Sequence, residues 1–162
     1  MTLGGRPGLA IVAACCIVLA SCGSERISVT KPDLVDSEAA DEIVGSFLSY
    51  SYATLGSDYG TGFALLSQDC HPPVTLEKFS VRHSRNNDLV DVFFGVDSST
   101  IRYSSVEILS VVDGRAEVTG QAINPALREA ADTLVLVEEN GSWLVQACGI
   151  ATAPIPPELN LG

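Results

Sequence analysis

Apolar residues recur with a helical period in the first half of the chain and with a strand period in the second. Between Ser37 and Leu55, the positions Ile43, Val44, Phe47, Leu48, Ser51 and Leu55 fall on one helical face. Asp36 or Ser37 can cap that helix, Glu38, Asp41 and Glu42 load its start with negative charge, and Gly56 supplies a stop. A shorter helix is predicted from Asp58 to Gln68, where Tyr59, Phe63 and Leu66 share a face ahead of Pro72-Pro73. Thr75 can cap one more turn from Leu76 to Phe79. The polar run Arg82-His83-Ser84-Arg85-Asn86-Asn87-Asp88 then reads as a loop, and Leu89 to Phe94 as an edge strand or a buried turn.

From Ile101 to Val112 the pattern alternates, with Val106, Ile108 and Val112 on one face and Glu107 on the other. Asp113-Gly114 is a hairpin signal, and Ala116, Val118 and Ala122 continue the returning strand. Asn124-Pro125 to Asp132 breaks it. Thr133 to Val137 and Trp143 to Cys148 flank a second such signal, Asn140-Gly141. Helices first and an antiparallel sheet after predict an α+β domain over residues 37–150. The Pro-rich tail, 151–162, is expected to be extended and outside the fold.

Ahead of this domain, an apolar run from Leu9 to Ala20 follows Arg6 and the terminal amine, and small residues close it. The run is too short to span a bilayer as a helix, which needs roughly 20 apolar residues, and has the order of a cleaved secretory signal. Leu19-Ala20-Ser21-Cys22 resembles the lipobox of bacterial lipoproteins. That resemblance implies cleavage after residue 21, a diacylglyceryl thioether on Cys22 and palmitate-type acyl chains holding the protein to the extracytoplasmic face of the cell membrane. The polar stretch 22–36, without apolar periodicity, is then expected to be a flexible tether.

Composition narrows the partners. Only one of the 9 Lys and Arg residues, Arg6, lies in the leader, and none of the 20 Asp and Glu residues does. The mature chain thus sets 8 cations against 20 anions, a formal charge of -12 that disfavours nucleic acid and anionic head groups. Of 5 cysteines, Cys15 and Cys16 leave with the leader and Cys22 carries lipid, so Cys70 and Cys148 remain. An even remainder in an exported protein predicts one disulfide. Asp69-Cys70-His71 offers too few ligands for a closed metal site, and no cofactor motif occurs.

Six short stretches resemble the nuclear-transport-factor-2-like family. They are Phe47-Leu48, then Gly56-Ser57-Asp58-Tyr59 followed by Ala64-Leu65-Leu66-Ser67, then Thr75-Leu76-Glu77-Lys78-Phe79, then Val111-Val112-Asp113-Gly114-Arg115-Ala116-Glu117-Val118, and finally Glu139-Asn140-Gly141-Ser142-Trp143-Leu144-Val145. The resemblance implies a cone in which a curved antiparallel sheet wraps the long first helix. It also implies that Cys70 and Cys148 join the helical layer to the sheet.

A cone of this kind implies a pocket, for which Tyr50, Tyr52, Phe63, Tyr103 and Trp143 are the candidate lining residues. The leading expectation is a non-enzymatic envelope lipoprotein that holds a small apolar ligand or meets another envelope protein. The alternative is an isomerase- or dehydratase-like enzyme, which needs a carboxylate base and a hydroxyl facing one apolar pocket. Asp58, Asp91, Tyr50, Tyr52 and Tyr103 are its candidates, none in a recognisable catalytic motif. Convergence of two titratable groups in the pocket separates the readings. An assembly subunit, marked by an exposed apolar sheet face, is the third. Glu107 and Glu117 are expected to face water, and Arg82-His83-Arg85 to be a solvated patch. The Asn140-Gly141-Ser142 sequon is expected to serve as a turn.

Overall fold

In a computed structural model of the chain, the described residues are 27–71, 73–124, 127 and 132–148. The leader, Cys22 and the 151–162 tail lie outside them. Strand β1 (Ser28–Thr30) precedes helix α1 (Ser37–Leu55), helix α2 (Tyr59–Ala64), a 3-10 turn at Gln68–Cys70 and helix α3 (Leu76–Phe94). Another 3-10 turn at Ser98–Thr100 leads into β2 (Tyr103–Val112), β3 (Arg115–Ala122), β4 (Asp132–Glu139) and β5 (Ser142–Val145). The sheet runs in the order β1-β2-β3-β4-β5.

The molecule is α+β, but its sheet is mixed. β1 pairs parallel to β2, with Ser28 opposite Ser105, whereas the other three pairings are antiparallel. The expected tether therefore contains a strand, and Val35 just after it is buried. Its exposed side chains give no alternating signal, because β1 is held by backbone pairing to the edge of β2.

Helix α1 begins where expected. The Asp36 carboxylate accepts from the Ala39 N–H at 2.8 Å, satisfying one of the donors a helix start leaves open. Its apolar face buries Ala40, Ile43, Val44, Phe47 and Tyr50, with Phe47 fully enclosed. Beneath Phe47 the sheet carries Gly120, where a methyl group would stand 2.6 Å from the Phe47 ring and 2.8 Å from Tyr103. Only a missing side chain lets helix and sheet approach this closely.

Two expectations about helices fail. The helix expected from Asp58 to Gln68 stops at Ala64, because Leu65 and Ser67 form hydrogen bonds with β5. The Val145 N–H donates to Leu65 O at 2.8 Å and the Ser67 N–H to Val145 O at 2.9 Å. The stretch 82–94, expected as a loop and an ambiguous segment, is a continuation of the helix capped by Thr75, so α3 runs to Phe94. It ends at Gly95, whose φ of 64° is left-handed and whose N–H donates to Asp91 O. The row Phe79, His83, Asn87 and Val90 follows helical spacing, but its middle members are polar, which hides the period from the sequence.

Both hairpin signals form tight turns, with positive φ at Asp113 and Gly114 and at Asn140 and Gly141. A register shift between Ile108 and Ser110 changes the phase of β2. Val112, expected on the buried face, is consequently exposed. Cys70 and Cys148 form a disulfide with a Cα–Cα distance of 4.8 Å, tying the 3-10 turn after α2 to the segment after β5. Its 78-residue separation places the chain-entropy contribution at about 4 kcal/mol. No described helix is long and apolar enough to cross a membrane.

Candidate functional site

A cavity of about 390 Å³ lies between α1, α3 and the ends of β2, β3 and β4. Helix α1 contributes Tyr50, Ser51, Thr54 and Leu55, and α3 contributes His83, Asn86, Asn87, Leu89 and Val90. Ile101, Tyr103, Ala122, Leu127, Asp132 and Leu134 complete the wall. Apolar side chains dominate one part, where Ile101, Ala122 and Leu127 form a small buried cluster with Val96.

Two polar pairs share the lining, Tyr103 standing directly opposite Ala122 in the sheet. The Tyr103 hydroxyl donates to Asp132 Oδ2 at 2.5 Å, and the Tyr50 hydroxyl stands 3.4 Å from His83 Nε2. Burial pushes the Tyr50 phenol well above its ordinary range; Arg82 opposes this and Asp132 adds to it. Tyr103 is raised by burial first and by the Asp132 carboxylate next. Burial, reinforced by Arg82, lowers His83 from 6.5 to about 4, so its imidazole is neutral at physiological pH. The Arg82 Nε is itself buried without a hydrogen-bond partner.

Helix α3 is fixed against α1 by polar contacts. Asn87 Nδ2 donates to Thr54 O at 2.9 Å and to Leu55 O at 3.4 Å, satisfying carbonyls at the end of α1. The His83 ring packs on Phe79 at 4.3 Å between centroids, and Phe79 meets Tyr50 edge to face at 6.2 Å.

Of the five candidate pocket residues, Tyr50 and Tyr103 line this cavity. Tyr52 lies outside it, half-buried against Tyr103, with its hydroxyl accepting from the Tyr103 N–H at 3.4 Å. Phe63 packs between His71 and Phe79. Trp143 borders a separate shallow depression with Gly45, Ser46 and Ser49 of α1. The carboxylates Asp58 and Asp91 also lie elsewhere. Asp58 caps α2, where hydrogen bonding to Thr61 lowers its pKa, and Asp91 sits beside Asp88 and Asp97 in another depression.

His83 and Asp132 were the members sequence reasoning missed. The spacing Phe79, His83, Asn87 was available as a helical row, whereas nothing about Asp132 marks it beyond its place at the start of β4. Among the described residues, no group of three or more His, Cys, Asp or Glu side chains is arranged to hold a metal ion. No family model matches the chain, nor does any curated protein or solved structure.

Proposed function

We propose that the chain is an extracytoplasmic lipoprotein, anchored through Cys22, whose nuclear-transport-factor-2-like cone binds a small, largely apolar molecule with one hydrogen-bonding end. The observation that carries this reading is the mixed lining of the cavity, with Ile101, Ala122, Leu127 and Leu134 for the body of a ligand and the Tyr50–His83 pair for its polar group. The lipobox-like Leu19-Ala20-Ser21-Cys22 supports the anchor, and the leader ahead of it supports export.

The isomerase- or dehydratase-like alternative has one observation in its favour, the convergence of Tyr103 with Asp132 and of Tyr50 with His83 on one cavity. Efficient proton transfer wants a pKa near the working pH. His83 lies well below neutrality and both tyrosines lie far above it. The Asp132 carboxylate that such chemistry would need as its base accepts from the Tyr103 hydroxyl at 2.5 Å, so the two groups engage each other and binding is the better reading.

Mild extraction from membranes followed by native mass spectrometry tests it. The expected result is a diacylated N-terminus at Cys22, and a bound small molecule that is lost when Ala122→Leu fills the cavity. A protein that retains the same molecule, and the same affinity for an anilinonaphthalene sulfonate dye, after that substitution overturns the binding site. A full-length leader in the membrane-derived protein overturns the anchor.

A further inference from the structure

The chain enters the sheet at the end of the fold that carries the cavity. Because β1 runs parallel to β2 and starts opposite Ser105, the chain enters the sheet beside the beginning of β2. The same end holds Ile101 and Tyr103, the end of β3 at Ala122 and the start of β4 at Asp132, all of which line the cavity. The hairpins at Asp113-Gly114 and Asn140-Gly141 form the other end.

Helix α3 also finishes at the cavity end, and its last turn is apolar and exposed. Phe93 and Phe94 are 53% and 47% exposed, although the chain's other three phenylalanines are buried or half-buried. Leu89 and Val90 line the cavity, and Phe93 and Phe94 follow each of them by four residues, extending the same helical rows outward by one turn. Val92 on α3 and Ile123 just past β3 add exposed apolar surface, and the Ile123 N–H donates to Arg102 O at the start of the sheet. Exposed aliphatic residues also occur elsewhere, at Leu34, Val81, Leu109 and Val112, but the two exposed phenylalanines stand together here, and adjacent exposed aromatic rings beside a cavity mark a contact.

We propose that this end rests on the surface of a zwitterionic phospholipid bilayer, with Phe93 and Phe94 at the interface and the cavity mouth facing the lipid. The proposal depends on the reading of Cys22 as the anchor. Five residue steps separate Cys22 from Ile27, which packs against the core, and they can span at most about 18 Å. The anchor thus holds the β1 entry end close to the membrane, and that is the end bearing the two phenylalanines. Exposed Asp91 and Asp97 nearby disfavour anionic head groups and select neutral ones. A single-chain amphiphile could then enter the cavity from the bilayer without crossing water.

The test uses the lipidated full protein in phosphatidylcholine vesicles, comparing Phe93→Trp with Val112→Trp, a 63% exposed site by the hairpin end, against the background of the lone Trp143. With bromine on the lipid acyl chains, Phe93→Trp should be quenched about twice as strongly as Val112→Trp, and less so when phosphatidylglycerol is added. Equal quenching at both sites in vesicles that still carry the protein overturns the orientation and leaves the anchor standing. Failure of the unsubstituted protein to float with vesicles overturns both. A dimer in native mass spectra that dissociates when Phe93 and Phe94 become Ser, together with an unquenched Phe93→Trp, assigns the patch to a second copy and overturns the bilayer contact.

Discussion

Helix α1 is gripped from two sides by different physics. On the sheet side the contact is apolar and tight, with Phe47 against Gly120 and Tyr103 and no space for a methyl group. On the α3 side the contact is aromatic and polar, through His83 and Asn87, and it leaves a cavity. Close packing rewards shape and punishes any change of volume. Polar packing tolerates gaps, provided each buried group keeps a partner. One face of a single helix therefore supplies stability, and the other borders an open cavity.

Substitutions can break this contrast in a graded way. Phe47→Ala should have the largest effect, a loss of about 4 kcal/mol in chemical denaturation, because the ring is fully enclosed and its neighbours are fixed by the sheet. Gly120→Ala follows at about 2 kcal/mol by the same measurement, since the ring and the strand must move apart. If it were neutral, the tight grip assigned to the sheet side would be wrong. Asn87→Ala should cost about 1 to 2 kcal/mol through the stranded Thr54 and Leu55 carbonyls, and should weaken dye binding more than either sheet-side change weakens it per unit of stability lost.

The last effect is a pH slope. His83 has a folded-state pKa of about 4, below its ordinary 6.5, so the unfolded chain binds its proton more readily. Stability is then fully present above about 6.5 and falls as the pH drops from about 6.5 to about 4, by roughly 2 kcal/mol once the solvent-reached part of the ring is discounted. His83→Phe should flatten the difference between denaturation curves measured at those two pH values, leaving only the slope of the carboxylates. An unchanged difference would show that the ring is not held neutral by its surroundings.

What the sequence made legible follows the same division. Helix α1, both hairpins and the cysteine pair could be read because apolar period, Asn-Gly and Asp-Gly turns and cysteine parity are local signals. Helix α3 was misread because His83 and Asn87 occupy the positions where a helix usually shows apolar residues. Strand β1 gave no signal because three exposed residues carry it by backbone pairing alone. The cavity brings Tyr50 and Asp132 into one lining drawn from two helices and three strands, and no spacing in the chain encodes that meeting.

The parallel attachment of β1 has a mechanical side. Tension applied at the amino terminus runs along the strand and loads its bonds to β2 in shear, together, where a perpendicular pull would unzip them one at a time. A short strand loaded in this way yields as a unit. Its release would free Ser28 to Val35 and extend the chain ahead of α1 by up to about 28 Å, with the Asp36 cap of α1 as the next point to bear the strain.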